Sequence, residues 1–113
     1  MIDALLGASG NGDIGGWFPN TDPRWKDADS AAMLDSVISR LRRQRWRIEN
    51  LDCTISAEQP RLEDWKPRIR MRLAELLDLE PDLVNVKAKS GEKVGPIGRG
   101  EAIAADVVVL LSR

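Results

Sequence analysis

Leu34, Val37, Ile38 and Leu41 fall at i, i+3, i+4 and i+7, a spacing that puts four apolar side chains on one stripe of a helix. Ser30, with Asp29 beside it, is a suitable N-cap, and the pattern predicts a helix running to about Trp46. The period then changes. Leu51, Cys53, Ile55 and Ala57 alternate with Asp52, Thr54 and Ser56, which reads as a half-buried strand ended by Pro60. A second helix is predicted from about Asp64 to Leu79, with Pro67 tolerated in its first turn and Ile69, Leu73, Leu76 and Leu77 as its buried stripe. Pro81 stops it. Val84, Val86 and Ala88 alternate with Asn85, Lys87 and Lys89 as another strand, and a β-branched run at 102–111 closes the chain. A short helix is expected at 3–9.

Two glycine-rich segments interrupt these elements. "GDIGGWFPNTDPRWKDADS" (12–30) holds three Gly, two Pro and four Asp in nineteen residues. It reads as a long loop, a kind that is uncommon inside compact domains unless it has a function. "SGEKVGPIGRGE" (90–101) is the second. The expected architecture is α+β, a single domain over 1–113 with a small mixed sheet and helices on one face. Three strands make a thin sheet with open edges, so a partner subunit is expected to complete the core.

Composition narrows the classes. At 42% hydrophobic and 31% charged, the 113 residues read as globular. Lys and Arg number 17 against 18 Asp and Glu, which gives no overall attraction to nucleic acid or to a membrane surface. "RLRRQRWR" (40–47) carries five Arg in eight residues, but cations at a helix C-terminus complement its dipole, and no nucleic-acid partner is expected. No apolar run approaches the length of a membrane span. One cysteine, Cys53, rules out an internal disulfide framework and is expected in the core. The reading is cytoplasmic, with a plastid also open.

There is no histidine, so neither a Ser-His-Asp triad nor a conventional zinc site can be assembled from these residues. Asp13, Asp22, Asp27, Asp29 and Glu92 lie in or beside the two loops. Carboxylates with phosphate oxygens suit Mg²⁺ or Mn²⁺. Lys87, Lys89, Lys93 and Arg99 surround the second loop with positive charge, beside glycines that let backbone N–H groups approach an anion. From the residues alone, solvated loops and a phosphate or diphosphate site both remain open.

"DALLGA", "GDIG", "FPNTDP", "KDADS", "LDCTISAEQPRL" and "VNVKAKSGEKVGPIGRGEAIA" together resemble the 2-C-methyl-D-erythritol 2,4-cyclodiphosphate synthase family over Asp3 to about Leu111. The resemblance implies a phosphorus–oxygen lyase of isoprenoid biosynthesis that cyclises a cytidine diphosphate substrate and releases cytidine monophosphate. It implies a homotrimer around a threefold axis, with active sites between neighbouring subunits. By the same resemblance, Asp13, Ile14, Gly15, Phe18, Pro19, Asn20, Thr21 and Asp22 grip the erythritol diphosphate part, Asn20 standing where Asp is usual. The stretch Ala57 to Glu63 of the neighbouring subunit, with Arg61 where Lys is usual and with Leu62 and Glu63 at its end, forms the cytidine pocket, which Ala88, Lys89 and Ser90 complete. Ser90 is the catalytic hydroxyl, where the family carries Thr. Glu92 holds Mg²⁺ or Mn²⁺ against the diphosphate, and Arg99 contacts phosphate.

Two departures qualify the expectation. The family's zinc is bound by an Asp-x-His and a helix His in a segment before "DALLGA", and that segment is expected to be missing from this chain. The sequence also lacks the family's further histidine, so impaired or absent catalysis is expected of residues 1–113. The alternative is a non-catalytic, truncated or engineered homotrimeric scaffold. Arg45 replaces a Gly near the end of the first long helix and is expected to forfeit the left-handed cap.

Overall fold

The computed structural model describes all of residues 1–113. In chain order it contains α1 (Ile2–Ala8), α2 (Ile14–Trp17), α3 (Ser30–Arg43), β1 (Arg47–Ser56), α4 (Lys66–Leu77), β2 (Val84–Lys89), α5 (Gly95–Gly98) and β3 (Ala104–Ser112), with 3₁₀ turns at Pro23–Trp25, Glu63–Trp65 and Pro81–Leu83. The strands form one small sheet in the order β2-β1-β3. The chain divides into two compact units, Met1–Glu49 with Val109–Arg113, and Asn50–Val108.

In the first unit, α1 packs against α3. The predicted stripe of α3 is the buried one: Leu34, Val37, Ile38 and Leu41 meet solvent scarcely at all, as do Leu5 and Leu6 of α1. Each such side chain contributes roughly 1.5–3 kcal/mol. The cap of α3 is Asp29, whose carboxylate accepts the Ala31 N–H at 3.1 Å, while Ser30 is already helical. The helix stops at Arg43, three residues before the expected end. The stop is a Schellman motif: the Trp46 N–H donates to Leu41 O at 2.9 Å and the Arg45 N–H to Arg42 O at 3.0 Å. Arg45 takes φ 66, so the left-handed cap is kept without glycine. The turn lets β1 start at Arg47, four residues earlier than its clean alternation.

The segment 12–30 is not an unstructured loop. Asp13 caps α2, accepting the Gly16 N–H at 2.8 Å, and the Ile14 N–H donates to Asp3 at 2.7 Å. Asp22 caps the turn Pro23–Trp25. Phe18 is 7% exposed and meets Trp25 edge-on, ring centres 4.6 Å apart. The Trp17 indole N–H donates to Asn11 O at 2.8 Å, and Asn11 and Gln44 exchange two amide bonds of 2.8 and 3.1 Å. Short elements this dependent on side chains carry no periodic signal.

In the second unit, β1 and β2 run parallel, with Leu51 opposite Val84, Cys53 opposite Val86 and Ile55 opposite Ala88. Helix α4 makes the crossover and packs on β2. Leu51, Cys53, Ala74, Leu77, Val84 and Val86 are buried, whereas Ile69, Leu73 and Leu76 of the predicted α4 stripe are only half-buried. The helix is shorter than expected at both ends, because a 3₁₀ turn precedes it and Asp78 ends it at φ 55. On the outward side, Asp52 pairs with Lys87 at 2.6 Å and accepts from Asn85 at 3.1 Å. Strand β3 begins two residues later than expected.

Candidate functional site

The pairing of β1 and β2 extends past the strand ends: the Ala57 N–H donates to Lys89 O at 2.9 Å. Two segments therefore leave the sheet side by side at the carboxyl ends of parallel strands, the usual place for a ligand crevice in such sheets. A cavity of about 860 Å³ opens there. One wall is Ala57, Glu58, Gln59, Arg61, Leu62, Glu63 and Asp64; the other is Ala88, Lys89, Ser90 and Lys93. The structure thus brings together Ala57, Arg61, Leu62, Glu63, Ala88, Lys89 and Ser90 as a single polar cavity carrying three cations. Of its acids, Glu63 is paired with Lys66 at 2.9 Å.

The β2–α5 loop that forms the second wall is tightly wound. Glu92 and Lys93 take φ of 50 and 62, the left-handed region. A Cβ on Gly91 would lie 2.3 Å from Gly98 N, so glycine is required for this approach. Ser90 Oγ accepts the Glu92 N–H at 3.1 Å and the Glu58 carboxylate accepts the Gly91 N–H at 3.0 Å. Glu92 itself is exposed, next to the cavity in sequence but not in its wall. Arg99 sits at the end of α5, where it donates to the Glu101 carboxylate at 2.9 and 3.2 Å, and does not line the cavity.

The other predicted residues lie in the first unit. Asp13, Ile14 and Gly15 form the cap and first turn of α2, and the Phe18 side chain points into an aromatic cluster. Pro19, Asn20 and Thr21 form the turn that follows, closed by the Asp22 N–H donating to Pro19 O at 3.0 Å. Asp22 accepts from the Arg24 side chain at 2.8 and 3.1 Å and from its N–H at 3.0 Å. Those bonds, the side-chain ones first, hold its carboxyl below its ordinary 3.8.

Glu58 and Gln59 lie within the stretch Ala57 to Glu63 that the resemblance places around cytidine, where neither was given a role of its own, and Asp64 lines the cavity just beyond that stretch. The signal for Glu58 was an acid directly after the last alternating residue of a strand. As to metals, no three His, Cys, Asp or Glu side chains cluster. Cys53 is buried, and burial pushes its thiol up, which disfavours the thiolate a metal needs. Residues 1–113 do not fit zinc.

A parallel βαβ unit whose strand ends open on a polar cavity, lined by Arg61, Lys89 and Lys93 and by Glu58, Glu63 and Asp64, defines a small α+β protein. Residues 1–112 match the model of the YgbB family. The chain is 52% identical over 113 residues to the 2-C-methyl-D-erythritol 2,4-cyclodiphosphate synthase of Geobacillus kaustophilus (strain HTA426), covering all of this chain and 72% of that one. The solved bifunctional IspDF of Campylobacter jejuni superposes with a TM-score of 0.91 at 39% identity, over 97% of this chain and 30% of that one. A 2-C-methyl-D-erythritol 2,4-cyclodiphosphate synthase solved with CDP gives 0.89 at 30% identity, over 98% and 71%. The chain belongs to the YgbB family, that of the 2-C-methyl-D-erythritol 2,4-cyclodiphosphate synthases. No helix of the structure is long and apolar enough to cross a membrane.

Proposed function

We propose that the cavity between 57–64 and 88–93 takes the cytidine diphosphate part of a substrate, and that the chain descends from a lyase cyclising that substrate with release of cytidine monophosphate. The observation that carries this reading is the cavity itself, lined by the residues that the family resemblance places around cytidine. Arg61, Lys89 and Lys93 supply charge that suits a diphosphate. The Ser90 hydroxyl, oriented by the Glu92 N–H, is free to donate toward a phosphoryl oxygen. Glu92 would hold Mg²⁺ or Mn²⁺, which when bound neutralises diphosphate charge. Asp13, Asn20 and Asp22 belong to the erythritol diphosphate side of this reading, and Arg99 to its phosphate.

The assembly that goes with this function is a homotrimer. Val108 and Leu110 are 72% and 59% exposed on one side of β3, and Ile103, just before the strand, is 64% exposed. Apolar groups on a strand call for cover, and further copies of the chain would provide it.

A second reading rests on one observation, the absence of histidine from residues 1–113. Losing a single electrostatic stabiliser costs about 10²–10³ in rate. Residues 1–113 alone are then a non-catalytic trimeric scaffold that keeps the nucleotide pocket. Incubation with the cytidine diphosphate substrate of the synthase family, Mg²⁺ and Zn²⁺ separates the two. Release of cytidine monophosphate supports the lyase; nucleotide binding without release supports the scaffold. A chain that binds no cytidine nucleotide contradicts both, and light scattering at the 12.6 kDa monomer mass contradicts the trimer.

A further inference from the structure

We propose that Glu58 is a positioning residue that clamps the two walls of the cavity together and thereby sets the conformation of the Ser90–Lys93 loop. The role of the clamp in ligand binding rests on the reading given under Proposed function. Glu58 follows the last paired residues of β1 and lines the first wall; Gly91 begins the tight turn of the second. Its carboxylate accepts the Gly91 N–H at 3.0 Å, across 33 residues of chain. A bond to a charged acceptor is among the stronger kinds.

The loop needs such a restraint. Glu92 and Lys93 are consecutive non-glycine residues at φ 50 and 62, and residues in such sparsely populated regions persist only where their surroundings over-determine them. The Ala57 N–H to Lys89 O bond at 2.9 Å joins the walls at the root of the loop, ahead of its left-handed residues, and the remaining restraints are internal to 90–98: Glu92 N–H to Ser90 Oγ at 3.1 Å, Val94 N–H to Gly91 O at 2.9 Å, and the close approach of Gly91 to Gly98. The internal restraints shape the turn but do not fix where it stands against the opposite wall. The Glu58–Gly91 bond does, and it therefore places the Ser90 hydroxyl and the cations of both walls at one separation.

The test compares wild type, E58A and E58Q of the full 113-residue chain by CDP calorimetry in Mg²⁺, amide hydrogen exchange at Gly91, and thermal midpoint. The expected result is about tenfold or greater loss of CDP affinity in E58A, with exchange protection lost at Gly91 and a midpoint near that of wild type. E58Q keeps an acceptor oxygen and is expected to restore Gly91 protection and most of the affinity. The proposal is overturned if E58A matches wild type in affinity and protection, or if E58Q is as impaired as E58A in both. If wild type binds no CDP, the ligand reading fails and exchange alone decides the clamp. Protection lost in E58A and kept in E58Q then supports it, and unchanged protection overturns it.

Discussion

In the segment 12–30, the chain's own groups engage two of the carboxylates that a ligand would use, Asp13 capping α2 and Asp22 being held by Arg24, while Phe18 packs inward against Trp25. In the segment 90–101, backbone strain replaces side-chain packing. Glu92 and Lys93 are left-handed, Gly91 and Gly98 touch, and Lys89, Ser90 and Glu92 remain exposed. Both segments are rich in glycine. In one it accompanies short capped helices; in the other it permits two backbones to meet beside a cavity. Glycine content alone therefore does not tell a segment held by side-chain packing and caps from one held by close backbone approach.

The contrast can be broken first at Phe18. Phe18→Ala removes a buried ring and its edge-on partner and is expected to cost about 3 kcal/mol in chemical denaturation. A loss under about 1 kcal/mol would mean that 12–30 is not held by its aromatic cluster. The corresponding change in the other segment is Gly91→Ala, whose Cβ would fall 2.3 Å from Gly98 N. The loop must then move, at a cost of about 1–3 kcal/mol and with CDP affinity reduced at least as strongly as stability. Equal affinity in this variant would detach the turn from the pocket.

A smaller effect is expected from Asp13→Ala, about 1 kcal/mol for a lost N-cap. Protection of the Gly16 amide from exchange should fall with it. The smallest is a pH effect. The Asp22 carboxyl is held below its ordinary 3.8 by Arg24, so the order it lends to the turn Pro23–Trp25 is complete above the ordinary carboxylate range. It is lost as pH falls through the lowered value. Trp25 fluorescence followed through acid should change there, and Arg24→Gln should move the change to higher pH.

The long periodic stretches were readable because burial there follows from spacing. The α3 stripe, the alternation of Leu51 and Cys53, and that of Val84 and Val86 each appear in the structure as read. The ends were not, because a cap is a matter of single hydrogen bonds: Asp29 rather than Ser30 caps α3, and Trp46 reaches Leu41 O to close it. The segment 12–30 hid two short elements for the same reason. The stretch that lines the cavity was marked only through family resemblance, and Glu58 within it had no role of its own because its partner is a backbone N–H 33 residues away, which no local pattern encodes.

The most direct measurement is a CDP titration of the ¹⁵N-labelled chain in Mg²⁺, following every backbone amide. Saturable shifts concentrated at 57–64 and 88–93 are expected, strongly weakened by Arg61→Ala with Lys89→Ala. No saturable shift, or shifts centred away from those two stretches, would contradict the cytidine-pocket reading.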